Sequence, residues 1–419
     1  MYLIYQFLSQ TVFLGIRLMA FFNPKLKLFA AGRKKSFEIL QAKIKPTDRV
    51  VWFHVASLGE YEQGLPLLKK TKEAFPSHKI VLTFFSPSGY EIVKDKAPAD
   101  AVLYLPFDTF SNANRFLDLT HPEWVVFVKY EFWPIYLKAL RDRKIKTLIV
   151  SAIFRPSQAF FKPYGGWMRK SLLTFNHFFV QNETSKDLLS GIGFENVTVS
   201  GDTRFDRVGE ILQRDNSLGF LEKFKAGQSC LVAGSTWPED EVLLVKYINL
   251  NKGQKQKYVL VPHNIKRDSI LALREKIELP TVLYSEISGK NPADYSVLIV
   301  DAIGLLTKIY AQADLAYVGG GLATGLHNVL EPAVFGIPVV IGKHYDKFEE
   351  AKQLVDSGGV ISITNQNELD TILNELFFSV VKRAHQGKIN KDFTRGKMGA
   401  TVLVMDYIIK MFRAQSHGI

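Results

Sequence analysis

Short apolar runs, closed by glycine, proline or polar turns, recur along almost the whole chain, and most neighbouring runs are separated by a stretch of helical length. In the first half they are Val50–Val55, Ile80–Phe85, Trp124–Val128, Thr147–Val150, His177–Val180 and Val197–Val199. In the second half they are Cys230–Ala233, Tyr258–Val261, Val282–Tyr284, Val297–Val300, Leu315–Val318 and Val339–Ile341. Their β-branched, non-alternating character predicts strands buried on both faces, and segments such as Glu60–Phe75 and Leu305–Ala311 predict the covering helices. Strand and helix in alternation imply parallel sheets, so the expected fold class is α/β with two doubly wound, Rossmann-like domains. Such sheets bind ligands beyond the carboxyl ends of their strands, and a cleft faced by both domains is the expected site.

One segment breaks the apolar pattern in a specific way. Tyr317 to Ile341, YVGGGLATGLHNVLEPAVFGIPVVI, runs strand, glycine-rich loop, short helix, strand, with polar groups only at the turns. Gly319, Gly320 and Gly321 let a ligand approach the backbone, and a helix opening after Asn328 aims its free N–H groups at a phosphate. The spacing of Asn328 and Glu331 suits a mutual helix cap equally well. His327, Asn328 and Glu331 nevertheless concentrate three polar side chains where a structural turn needs one, so anion site and cap both stand as readings.

Length and composition refine this frame. At 419 residues and 47% hydrophobic content the chain is too long for one ordinary core, which points to two domains of roughly 150–200 residues. The charged stretch Arg207–Gln228 separates the two strand sets. A single cysteine, Cys230, excludes an internal disulfide. Met1 to Phe22 carries one charge, Arg17, and Lys25, Lys27, Arg33, Lys34 and Lys35 follow at once. This predicts a membrane anchor, either a spanning helix or one lying in the interface, with the basic flank keeping the remaining chain in the cytoplasm. A buried helix and a cleaved signal peptide are the competing readings. The net charge of +12 and pI near 9.4 call for an anionic partner. No nucleic-acid motif accompanies the scattered basic residues, so an anionic membrane surface and a phosphorylated ligand are expected, and nucleic acid is not.

Two further clusters carry chemistry. His54, Ser57, Gly59 and Glu60 lie where the first strand ends and a helix begins, so Glu60 is placed to take a proton from a hydroxyl nucleophile, although acidic residues at helix starts are also favoured by the dipole. Glu131, in Lys129-Tyr130-Glu131-Phe132-Trp133-Pro134, follows the strand Trp124–Val128 and reaches the same sheet edge, as a second carboxylate or as a loop residue beside packing aromatics. No D-x-D pair is present to hold a divalent ion, and Glu239-Asp240-Glu241 reads as a helix start, so no metal is expected.

Together these segments resemble the Kdo transferases, bacterial enzymes that move 3-deoxy-D-manno-octulosonic acid (Kdo) from CMP-Kdo onto the lipid A precursor. The likeness covers almost the whole chain: His54 to Glu60, Glu131 to Pro134, Gly201 to Asp206, Ser235-Thr236 with Glu241, and above all Gly319-Gly320 through His327-Asn328 and Leu330-Glu331-Pro332-Ala333. The chain departs from the family pattern at Lys129, Trp237, His263-Asn264, Gly321 and Leu326, among others. The resemblance implies a GT-B glycosyltransferase with a membrane anchor or interfacial helix at 1–24, an acceptor-binding domain at 25–206 and a linker at 207–228. A nucleotide-sugar domain at 229–385 and a helix at 386–419 returning to the first domain complete it. It further implies inverting, metal-independent transfer without a cofactor to lipid IVA, a tetraacyldisaccharide 4'-phosphate, at the cytoplasmic face of the inner membrane. Glu60 would be the base, with Glu131 beside it. Ser235, Thr236, His263, Lys266, Arg267, Gly319, Gly320, Gly321, His327, Asn328 and Glu331 would hold the donor. His54, Ser57, Gly59, Arg155 and Arg204 are the acceptor or phosphate candidates. A transferase using a UDP-sugar on another membrane lipid, and a non-catalytic, membrane-tethered binder of acidic lipids or nucleic acid, are the alternatives.

Overall fold

The buried runs pair in register with their neighbours, all of them parallel, in a computed structural model that describes residues 1–23, 27, 29, 32–323 and 325–416. Residues 208–397 form one compact unit, and the remaining described chain forms another. The first holds β1 (Arg49–Val55), β2 (His78–Phe84), β3 (Ala101–Tyr104), β4 (Trp124–Val128), β5 (Lys146–Ala152), β6 (His177–Val180) and β7 (Val197–Val199), in the order β3-β2-β1-β4-β5-β6-β7. The second holds β8 (Ser229–Thr236), β9 (Gln256–Pro262), β10 (Thr281–Leu283), β11 (Val297–Ile299), β12 (Leu315–Val318), β13 (Val339–Gly342) and β14 (Val360–Ile363), in the order β10-β11-β9-β8-β12-β13-β14. In each sheet the chain first fills one side of its first strand, with β11 inserted between β9 and the edge strand β10 in the second, and then returns to that strand's other side. The reversal falls between β1 and β4 in one unit and between β8 and β12 in the other, and there the carboxyl ends of neighbouring strands open a crevice.

The hydrophobic pattern missed β3 and β14. Both are four-residue edge strands paired on one side only; Ser362 interrupts the apolar run of β14, whereas β3, Ala101 to Tyr104, is as apolar as the strands the pattern found.

In the first unit, helix Tyr2–Met19 lies against the core by one face. Tyr2 and Tyr5 meet Trp167 at centroid distances of 5.4 and 5.7 Å, and Phe13 meets Phe107 at 3.8 Å. Its other face leaves Leu3, Phe7, Leu8, Leu14 and Leu18 exposed. No helix among the described residues is long and apolar enough to cross a membrane, so the spanning form of the anchor finds no support. Of the basic flank, Lys34 and Lys35 are exposed, whereas Arg33 is buried, contrary to its expected place at a membrane surface. Its guanidinium donates to the carbonyls of Phe29, Phe85 and Leu105 and lies 3.7 Å from the Phe29 ring centroid, which compensates the charge inside the protein. Lys25 and the side chain of Arg17 lie outside the described residues.

The last described helix, Ala400–Ser416, belongs to the same unit and buries Val404, Met405 and Ile408 in a cluster with Leu65 and Leu68 of helix Leu58–Ala74. Its start is fixed by Asp206, whose carboxylate accepts from the N–H groups of Gly399 (2.6 Å) and Thr401 (2.7 Å) and from the Thr401 hydroxyl (2.7 Å). Replacing Asp206 by Ala strands these donors, so stability should fall by about 1–3 kcal/mol. Urea unfolding followed by tryptophan fluorescence reads this as a lower midpoint, and an unchanged midpoint would show that the helix start does not depend on Asp206.

Candidate functional site

At the β1/β4 reversal the chain brings two carboxylates to the sheet edge. Glu60 sits in the first turn of helix Leu58–Ala74 and is buried to 6% exposure. The Ser57 hydroxyl donates to its Oε2, and the Lys129 ammonium lies 3.8 Å from its Oε1. Ser57 occupies the N-cap position yet spends its hydroxyl on this carboxylate instead of on a helix N–H. Lys129 reaches Glu60 from the end of β4 with a left-handed backbone, φ 72, a strained conformation for a residue with a Cβ. Gly59 is exposed and an added Cβ would meet only Ser57 Oγ at 3.7 Å, so packing does not explain a glycine there.

Glu131 is held differently. Its Oε2 lies 3.0 Å from Trp133 Nε1 and 3.3 Å from His54 Nε2, while His54 Nδ1 lies 2.8 Å from the Thr83 hydroxyl. The Trp52 indole donates to that hydroxyl in turn, at 2.7 Å. His54 is completely buried with protein groups at both ring nitrogens, so it is not a direct acceptor or phosphate contact; its Nε2 accepts from Trp133 Nε1 at 2.9 Å, and the Trp133 indole is shared between His54 and Glu131. Arg204 is paired with Asp202 at 2.8 Å, and Asp202 also accepts from Gln63. Arg155 is exposed on the loop after β5, and its side chain meets no described partner.

At the β8/β12 reversal the glycine loop is stapled to the start of helix Pro238–Leu250. Asp240, 1% exposed, accepts from the N–H groups of Trp237 (2.9 Å) and Gly320 (2.8 Å) and from the Tyr317 hydroxyl (2.7 Å). Burial pushes its carboxyl above the usual range, while the three donors pull it back toward ionisation. The Gly320 N–H, expected to face a ligand, is therefore already engaged. The glycines serve backbone packing: a Cβ on Gly319 would collide with the Ser235 carbonyl, one on Gly320 (φ +89) with the Gly325 carbonyl, and one on Gly321 would stand 2.8 Å from Gly342 N. No described group accepts from the Gly321 N–H.

The helix expected after Asn328 is a single turn, Leu330–Ala333, too short for a strong dipole. Asn328 Oδ1 accepts from Leu330 N at 3.1 Å and its Nδ2 donates to Glu331 Oε1 at 3.2 Å, so the two side chains meet each other and not each other's backbone, and the N-cap position is Val329, without a side-chain cap. Glu331 Oε2 accepts from Thr307 at 2.9 Å, a partner the sequence did not announce. Ser235 turns with φ 53 at the end of β8, and buried Thr236 donates to Glu241 at 3.1 Å. Burial raises the Glu241 carboxyl above its usual range.

His263 and His327 stack with Trp237 beside this loop, and burial, with His263 nearby, lowers the His327 pKa below the ordinary histidine value. Lys266 and Arg267 are exposed at the start of helix Arg267–Glu275. Arg267 lines a cavity of ≈ 310 Å³ with Ser285 and Asp301, to which the glycine loop contributes no lining residue. No cluster of metal-ligating side chains occurs among the described residues. Asp240 was missed by sequence reasoning because its third position in a helix is also where an ordinary capping carboxylate stands.

Comparison with known proteins adds chemistry to this geometry. Residues 31–207 match the family described as "3-Deoxy-D-manno-octulosonic-acid transferase (kdotransferase)". The 3-deoxy-D-manno-octulosonic acid transferase of Aquifex aeolicus is 28% identical over 352 residues, covering 81% of this chain and 91% of that one. The enzyme of the same name from Haemophilus influenzae is 28% identical over 391 residues, 87% of each chain. Among solved structures, the UDP-GlcNAc 2-epimerase of Neisseria meningitidis bound to UDP-GlcNAc superposes with a TM-score of 0.60 at 13% identity, over 86% of this chain and 100% of that one, a likeness of fold.

The packing of the loop makes a direct contrast. Gly320→Ala should lower the thermal midpoint by several degrees, the equivalent of about 1–3 kcal/mol of backbone strain, whereas Gly59→Ala should leave it unchanged or raise it. Equal midpoints for the two variants would contradict the stapled-loop geometry.

Proposed function

From a chain that belongs to the 3-deoxy-D-manno-octulosonic acid transferase family, and is therefore a glycosyltransferase, we propose the following reaction. Kdo passes from CMP-Kdo to the acylated glucosamine disaccharide of the lipid A precursor lipid IVA, and Glu60 is the general base. The observation that carries this reading is the buried Glu60 carboxylate at a strand-order reversal, held by Ser57 and Lys129 yet retaining unused acceptor sites. An acceptor sugar hydroxyl gives its proton to Glu60 as its oxygen forms a bond to the anomeric carbon of Kdo. The bond from that carbon to the phosphate oxygen breaks with inversion, and CMP departs with the electron pair. Lys129 and Ser57 hold the Glu60 carboxylate in place, and Glu131, held by the Trp133 indole, orients the acceptor.

In the second unit, the Gly321 N–H faces the leaving phosphate, the exposed Lys266 and Arg267 add positive charge to that unit's strand ends, and Glu331 takes the ribose hydroxyls. Since Gly320 donates to Asp240, its part is to fix the loop. A monophosphate leaving group carries a charge that hydrogen-bond donors and basic side chains can stabilise. The bare apolar face of helix Tyr2–Met19 rests in the interface of an anionic cytoplasmic membrane, which brings the enzyme to a lipid acceptor.

Two measurements test this. Glu60→Gln should lower the rate of Kdo transfer by about 10²–10⁴-fold, the usual contribution of a general base, while CMP binding by calorimetry is kept; a variant as active as the parent would remove Glu60 from the mechanism. Phe7→Asp combined with Leu14→Asp should weaken binding to phosphatidylglycerol vesicles at least about tenfold, since each buried apolar side chain contributes ~1.5–3 kcal/mol, with transfer to a detergent-dispersed acceptor retained. Unchanged vesicle binding would rule out this face as the membrane contact.

A further inference from the structure

Trp237, His263 and His327 leave three different strand ends, those of β8, β9 and β12, and their rings form one stack. Trp237 lies 4.6 Å from His263 at an interplanar angle of 18°, and His263 lies 4.7 Å from His327 at 33°. One hydrogen bond fixes the chemistry of the group: Trp237 Nε1 stands 3.0 Å from His327 Nε2. An indole nitrogen always carries its hydrogen and never accepts, so Nε2 is the acceptor and the proton of the neutral imidazole sits on Nδ1. Burial and the adjacent His263 favour the neutral ring. His54, by contrast, has protein groups at both of its ring nitrogens.

No described group accepts from His327 Nδ1. The ring is also seated on the glycine loop. His327 N donates to the Gly319 carbonyl at 3.1 Å, and a Cβ on Gly320 would approach His327 Cδ2 to 3.2 Å. The His327 Nδ1–H and the Gly321 N–H are thus two donors without acceptors among the described residues, on one loop.

We propose that Trp237 is a positioning residue for the donor substrate: its indole N–H locks His327 as the Nδ1–H tautomer, and that N–H donates to a phosphate oxygen of the nucleotide. The inference rests on the reading of the second unit as the donor-binding one. A neutral donor of fixed direction gains strength as charge builds on the departing phosphate, and it needs no reorganisation to do so. The stack with His263 sets the plane of the indole and so the direction of the hydrogen bond.

The test uses the full chain labelled with ¹⁵N in its histidine rings, with His327 assigned by loss of its signals in His327→Gln. At about pH 8, above the ordinary histidine range, long-range ¹H–¹⁵N spectra should show His327 protonated at Nδ1 before any ligand is added. A proton on Nε2 overturns the proposal, and this reading needs no variant. Trp237→Phe keeps a ring in the stack but removes the N–H, so His327 should shift toward the Nε2–H form and the affinity for cytidine monophosphate should fall about tenfold, the value of one hydrogen bond. An unchanged tautomer, or unchanged affinity after the tautomer has moved, also overturns it. If the unmodified protein shows the Nδ1–H tautomer but binds no cytidine monophosphate, the donor reading itself fails, and with it the assigned ligand.

Discussion

A parallel sheet whose strand order reverses sends its crossover connections to opposite faces, and the loops that leave the two strands at the reversal part from each other. In this chain that happens twice, between β1 and β4 and between β8 and β12. The gap is a consequence of topology before any side chain is considered. Every group given a direct chemical part other than Lys266 and Arg267 then comes from a segment leaving one of those four strands: the side chains of Ser57 and Glu60 after β1, Lys129 and Glu131 after β4 and Trp237 after β8, and the Gly321 N–H with the His327 and Glu331 side chains after β12. Neighbouring strands supply support, as Thr83 on β2 does for His54.

Buried carboxylates at these edges differ in how much of their acceptor capacity the protein has filled. Asp240 receives three donors, two from the backbone, and is therefore a structural clasp between helix Pro238–Leu250 and the glycine loop. Asp206 is filled in the same manner and fastens the final helix. Glu60 receives one hydroxyl and a more distant ammonium, which leaves lone pairs for an incoming proton. Carboxylates are thereby divided between scaffold and chemistry by the number of their donors.

Much of this was readable in the residues, and the parts that were not share a physical cause. Central strands announced themselves because burial on both faces demands an unbroken apolar run, and the edge strands β7 and β10 were found by shorter runs of the same kind, whereas Ser362 interrupts β14. The Tyr317–Ile341 segment was recognisable as a special turn, but its glycines are explained by backbone atoms approaching from Ser235, Gly325 and Gly342, contacts that only the folded chain supplies. Likewise the triple-glycine pattern pointed to free N–H groups, while a carboxylate about eighty positions earlier had claimed one of them. Arg33 shows the same limit: in the sequence it belongs to a basic cluster, and in the fold it is enclosed by carbonyls and rings.

The central claim is that the β8/β12 reversal holds the cytidine nucleotide through the loop clasped by Asp240. Hydrogen–deuterium exchange of the full chain with and without cytidine monophosphate tests it most directly. The account predicts added protection in peptides spanning 234–241 and 319–331. Protection confined to the Arg267–Ser285–Asp301 cavity, or to the loops after β1 and β4, would contradict it.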